Sequence, residues 1–142
     1  MPLNTEHLAK CIVTLEASLI ALRRTAAGTT EYEVFRFAVI KGFELVLETS
    51  GKLLRRALKS FGGTPREIDA LQYKDVFRQA CKHGLLNESQ VESWFRFREN
   101  RNQTAHDYGV EFAEKTLAML PEFIAEARKL EKSLFGVSEK GA

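Results

Sequence analysis

Apolar residues recur every three to four positions along most of this chain. Nowhere does the pattern settle into the strict alternation of a half-buried strand. Leu8, Cys11, Ile12, Leu15, Leu19 and Leu22 form the first stripe, which predicts a helix from about Asn4 to Ala26. The segment "AGTT" breaks it. Thr30, with Glu33 three residues on, has the capping-box pattern that opens a second helix. Its stripe is Phe35, Val39, Phe43, Val46, Leu53, Leu54, Ala57, Leu58 and Phe61, so it runs to about Phe61. Gly42 and Gly51 lie inside that pattern. Each costs about 1 kcal/mol of helix propensity relative to alanine, and the close approach of a neighbouring helix would explain the choice.

"FGGTPREIDAL" reads as a turn and connector. A third helix spans Tyr73 to His83 and stops at Gly84, with His83 as its C-terminal cap. Asn87 and Gln90 form a second capping box, opening a helix that carries Val91, Trp94, Phe95 and Phe97. After Gly109 the last helix places Val110, Ala113, Leu117, Leu120, Ile124, Ala127 and Leu134 on one side. Pro121 is expected to kink or divide it. Long stripes joined by short turns predict an all-α fold, an antiparallel up-down bundle of four to five helices. The expected organisation is one domain over residues 1–142, with 136–142 as a flexible tail.

Composition narrows the class. The chain has 142 residues, 44% of them hydrophobic, which suits one domain with a real core. A net charge of +2 and a pI near 8.6 permit a nucleic-acid partner without arguing for one. No apolar run approaches the roughly 18 residues of a membrane span. "MPLNTEHLAK" lacks signal-peptide architecture. These features and two cysteines, Cys11 and Cys81, point to a cytoplasmic protein with reduced thiols and no membrane association. His7, His83 and His106 sit at no metal-ligand spacing, so neither metal nor cofactor is expected.

The chemistry concentrates in "FRENRNQTAHDYG", Phe97 to Gly109. On a helix, Arg98, Asn102 and His106 are spaced i, i+4, i+8 and share a ridge. Arg101 sits about 100° away, in a row with Trp94 and Phe97. Histidine moves protons near neutral pH, and the guanidinium fork matches phosphate oxygens. Metal-free RNA cleavage needs both, plus a second proton handler that a two-fold dimer would supply. The same residues also fit an ordinary helix end in which Arg and His pair with Glu99 or Asp107 or meet solvent.

"RNQTAHDY" reads R-N-x-x-x-H-x-Y, and this pattern resembles the signature of HEPN domains. More narrowly it resembles the HepT-like toxins of HEPN–MNT toxin–antitoxin pairs, also described as nucleotidyltransferase substrate-binding proteins. "VIKGFELVLETSGKLLRRALK" (Val39 to Lys59), Trp94 and "LPEFIAEARKLEKSL" extend the likeness over about Thr30 to Leu134. The family often has an aromatic and a tryptophan where this chain has Leu47 and Gly51, which read as packing positions. The resemblance implies a HEPN-like homodimer with a composite site and metal-independent endoribonuclease activity on RNA such as tRNA or mRNA. Arg101 and His106 would be catalytic, with Asn102 orienting. It further implies a cognate nucleotidyltransferase antitoxin that adds AMP to Tyr108. The alternative is a non-catalytic substrate-binding or partner subunit of a two-component nucleotidyltransferase. Arg98, with Lys52, Arg55, Arg56 and Lys59 of "KLLRRALK", would steer the RNA backbone, or form a solvated face. Arg36 and Glu44, near the second stripe, would pair across the bundle or with Arg101.

Overall fold

The computed structural model describes residues 2–104 and 110–139. It contains six helices among them: α1 (Glu6–Arg23), α2 (Thr30–Lys59), α3 (Pro65–Ala70), α4 (Tyr73–Lys82), α5 (Glu88–Thr104) and α6 (Val110–Phe135). The all-α helical bundle expected from the stripes is the fold observed, with two short helices, α3 and α4, beside four long ones. Helix α2, about 45 Å long at 1.5 Å per residue, is the spine. Helix α1 packs along it, α6 lies against both, and α3, α4 and α5 complete the other side.

The sequence explains this packing. The α1 stripe is buried as expected, from Leu8 through Leu22. Gly42 lies close against it: a Cβ there would lie 3.1 Å from Leu15 Cδ1. The core below α5 is aromatic. Trp94 is fully buried and meets Phe97 edge-on with ring centres 5.5 Å apart; Phe123 of α6 meets Phe97 at 5.0 Å and Phe43 of α2 at 4.8 Å. Such edge-to-face pairs contribute about 0.5–1.5 kcal/mol each beyond area burial. They fix the angle at which α5 leaves the core.

Several expectations need correction. The cap of α2 is Thr29, whose hydroxyl accepts from the Tyr32 N–H at 3.2 Å; Thr30 is the first helical residue. "FGGTPREIDAL" contains a helix, α3. Six residues are too few to be stable unaided. Here Thr64 accepts from the Glu67 N–H, Pro65 opens the first turn, and Arg55 donates to the Ile68 and Leu71 carbonyls at 2.9 and 2.8 Å. Pro121 does not divide α6, which runs unbroken through it. It sits on the exposed side, where water can serve the carbonyl left without a donor.

Residues 136–139 do not form a free tail. Val137 is buried, its carbonyl accepts from the Leu3 N–H at 2.9 Å, and Ser138 bridges to Pro2. Glu139 forms an ion pair with Arg56, and nearby Thr5 donates to Glu131 at 2.7 Å. Residues 140–142 lie outside the described part.

Two local expectations hold. Asn87 and Gln90 exchange hydrogen bonds at 2.8 and 2.9 Å, the reciprocal capping box. His83 ends α4 and stacks on Phe61 at 4.4 Å, with Gly84 at φ 78° turning the chain. Among the described residues, no helix is long and apolar enough to cross a membrane.

Candidate functional site

Helix α5 carries its aromatic residues into the core and then emerges, so its final turns present charge. Asn100 donates to the fully buried Thr116 of α6 at 2.9 Å, tying the emerging segment to its neighbour. On the opposite side of the helix, Arg98 has its guanidinium carbon over the Tyr73 ring, 4.3 Å from its centre, and donates from Nε to Asn102 Oδ1 at 3.3 Å. That bond bears out the i, i+4 alignment of Arg98 and Asn102. It also gives Asn102 a partner other than Arg101.

Arg98 is the wall between two depressions. On one side, a cleft of about 380 Å³ is lined by Glu44, Leu47, Glu48, Gly51, Lys52 and Arg55 of α2, Tyr73 of α4, and Arg98 and Arg101 of α5. On the other, a cleft of about 400 Å³ is lined by residues including Tyr73, Phe95, Glu99 and Asn102. Four of the basic residues singled out from the sequence, Lys52, Arg55, Arg98 and Arg101, therefore meet at one cleft. Arg56 and Lys59 do not line it: Arg56 pairs with Glu139, and Lys59 with Asp69 at 2.9 Å. Arg55 lines it but has its guanidinium on the α3 carbonyls. His106 and Tyr108 lie outside the described residues.

The charges in the cleft are unequal in their commitments. Lys52 pairs with Glu48 at 3.1 Å. The Lys52 hydrogen bond, with help from Lys41 and Arg101, holds the Glu48 carboxyl below the usual carboxylate range. Burial pushes the Tyr73 phenol well above its ordinary value, partly offset by Arg98. Glu44 and Arg101 form no hydrogen bond or ion pair with any described residue, nor with each other.

Glu48 and Tyr73 were not singled out by the sequence, and Glu44 only as a partner, with Arg36, for a pairing across the bundle or with Arg101; in the structure Arg36 pairs with Glu33 instead, and Glu44 with no described residue. The signal of the two cleft acids is faint but present: Glu44, Glu48, Lys52 and Arg55 follow i, i+4, i+8, i+11, one face of α2. Leu47 and Gly51, read as packing positions, line the same cleft. A Cβ on Gly51 would find only Tyr73 Cε2, at 3.9 Å, so glycine here is not forced by contact and leaves the cleft open.

Comparison with known proteins identifies the family. A family model described as "Nucleotidyltransferase substrate binding protein like" matches residues 3–135. The chain belongs to that family. A probable ribonuclease HepT of Haemophilus influenzae (strain Rd) is a relative of this nucleotidyltransferase substrate-binding-like chain, 33% identical over 95 residues. The match takes in 67% of this chain and spans 64% of the relative, less than two thirds of its length. A Haemophilus influenzae protein, whose structure is described as the fold of a substrate binding domain of a nucleotidyltransferase, superposes with a TM-score of 0.79. It is 26% identical, with 92% of this chain and 98% of that one covered. A protein of Thermus thermophilus shares the fold at a TM-score of 0.70, with 22% identity over 89% of this chain and 98% of its own. The HepT-like resemblance read from the motif is thus borne out at the level of family.

Proposed function

We propose that this family member is a metal-independent endoribonuclease, the toxin of a HEPN–MNT pair, acting as a homodimer. The observation that carries the reading is the position of Arg101. It lines a cleft shared with Arg98 and Lys52, and in sequence it stands five residues before His106 and seven before Tyr108. Arg101 has no competing hydrogen-bond or ion-pair partner among the described residues, so its fork is available for a phosphate.

In the proposed reaction, the His106 imidazole takes the proton from a ribose 2′-hydroxyl, whose oxygen attacks the adjacent phosphorus. The 5′-oxygen leaves and takes a proton from His106 of the partner subunit. The products are a 2′,3′-cyclic phosphate and a free 5′-hydroxyl, and Arg101 holds the charge that builds on the phosphate oxygens. AMP added to Tyr108 by a cognate nucleotidyltransferase would bring negative charge and bulk beside these groups and compete with RNA for them.

A second reading, a non-catalytic substrate-binding subunit, is favoured by the family description and by the words used for the solved relative. The discriminating experiment is RNA cleavage by the purified chain in EDTA. Wild type should cleave and leave cyclic phosphate ends, and His106→Ala should lose roughly 10²–10⁴-fold in rate. Wild type as inert as the variant on total RNA and tRNA would sink the ribonuclease reading and leave the binding subunit.

A further inference from the structure

We propose that the cleft between α2 and α5 is a guanine-recognising subsite, with Glu44 reading the base edge. The placing of that base next to the scissile phosphate rests on the ribonuclease reading; the base preference itself does not.

The inference comes from asking which cleft groups are still available. Arg55 has its guanidinium on two backbone carbonyls, and Lys52 and Glu48 hold each other. Arg98 is pressed on Tyr73 and held by Asn102, so its plane is fixed. That leaves one cation, Arg101, and one carboxylate, Glu44, lining the same cleft without pairing. A ligand that satisfies both has an anionic group at one end and N–H donors at the other.

A nucleotide of single-stranded RNA has this form. Unstacked bases are held by stacking on aromatic rings or guanidinium planes and by hydrogen bonds to their Watson–Crick edges. Arg98, with Tyr73 beneath it, lines the cleft and is the guanidinium on which a base would stack. A carboxylate is an acceptor at both oxygens. Among the four bases, only guanine offers two adjacent N–H donors on its Watson–Crick edge, at N1 and N2, to fill both oxygens. Adenine and cytosine offer one amino group beside a lone-pair nitrogen that repels the carboxylate, and uracil offers one imino N–H between two carbonyls. At about 380 Å³ the cleft falls in the range of ligand pockets. The open space over Gly51 supplies the room, since any larger side chain there would occupy it.

The test is calorimetric titration of the full chain, in EDTA, with GMP, AMP, CMP and UMP. GMP should bind more tightly than the other three by roughly five- to hundredfold, the discrimination of one bidentate base contact. Glu44→Gln should level the four affinities while leaving AMP binding within about twofold, because the amide presents one donor where guanine needs a second acceptor. Gly51→Leu should lower binding of all four at least tenfold with an unchanged melt, which guards against a Glu44 variant that fails to fold. Equal affinities, a preference that survives Glu44→Gln, or no binding of any nucleotide at millimolar concentration would each overturn the proposal. Cleavage-site mapping separates the two readings. Selective GMP binding without RNA cleavage retains the subsite and removes the ribonuclease; cleavage without guanine preference does the reverse.

Discussion

The two walls of the α2–α5 cleft use arginine in opposite ways. On the α2 wall, Arg55 reaches two carbonyls at the end of α3 and is part of the scaffold. On the α5 wall, Arg101 bonds to no described partner and stands in solvent. The difference lies in what each guanidinium finds within reach. A short helix ends beside Arg55 with carbonyls that need donors. Helix α5 is already fastened by Trp94, Phe97 and the Asn100–Thr116 bond before Arg101 is reached. A basic sequence run is therefore a poor measure of the charge available to a ligand. Of the four cations in "KLLRRALK", every one has an acid or a carbonyl partner.

This contrast can be broken by substitution. The largest effect should follow Arg101→Ala: RNA cleavage should fall by roughly 10²–10³-fold, as when a charge-stabilising donor is removed, while the thermal melt stays within about 0.5 kcal/mol of wild type. Arg55→Ala should show the reverse. Its loss leaves two helix-end carbonyls without donors and should cost about 2–3 kcal/mol of stability in chemical denaturation. A melt of Arg55→Ala that matched wild type would mean that the two walls do not differ as described. The smallest effect concerns acid. The Glu16, Glu122 and Glu48 carboxyls are held below their ordinary value by hydrogen bonds from Arg128, Arg96 and Lys52. Depressed carboxyl pKa values add stability above the unfolded value, near 4.5, that is lost as pH falls through the lower folded value. These pairs are exposed, so denaturation between about pH 6 and pH 3 should show only a small acid slope, the size expected of surface ion pairs. Glu16→Gln and Glu122→Gln should remove their own shares of that slope.

Where side chains answer to neighbours in sequence, the structure was legible in advance. The α1 and α2 stripes follow from the helical repeat, and the Asn87–Gln90 box and the Arg98–Asn102 ridge rest on contacts within about one turn. Helix α3 was missed although Thr64, Pro65 and Glu67 carry a helix-start signal. Six residues show no full stripe, and the group that holds their far end, Arg55, lies in α2. The docking of Val137 on Leu3 was equally invisible, because it joins residues at opposite ends of the chain. The candidate site divides along the same line. Arg101 and Asn102 came from a local motif, whereas Glu44, read in the sequence only as a pairing partner, took its place at the cleft once α5 packed against α2.

Trp94 is the chain's only tryptophan, and it lies fully buried among Phe77, Phe97 and Phe123. Its emission is thus a one-point optical gauge of the α4–α5–α6 junction. It does not line the cleft, so a ligand that fills the cleft without moving this junction will leave the emission wavelength where it was. A red shift on titration would signal that the core itself had opened to water.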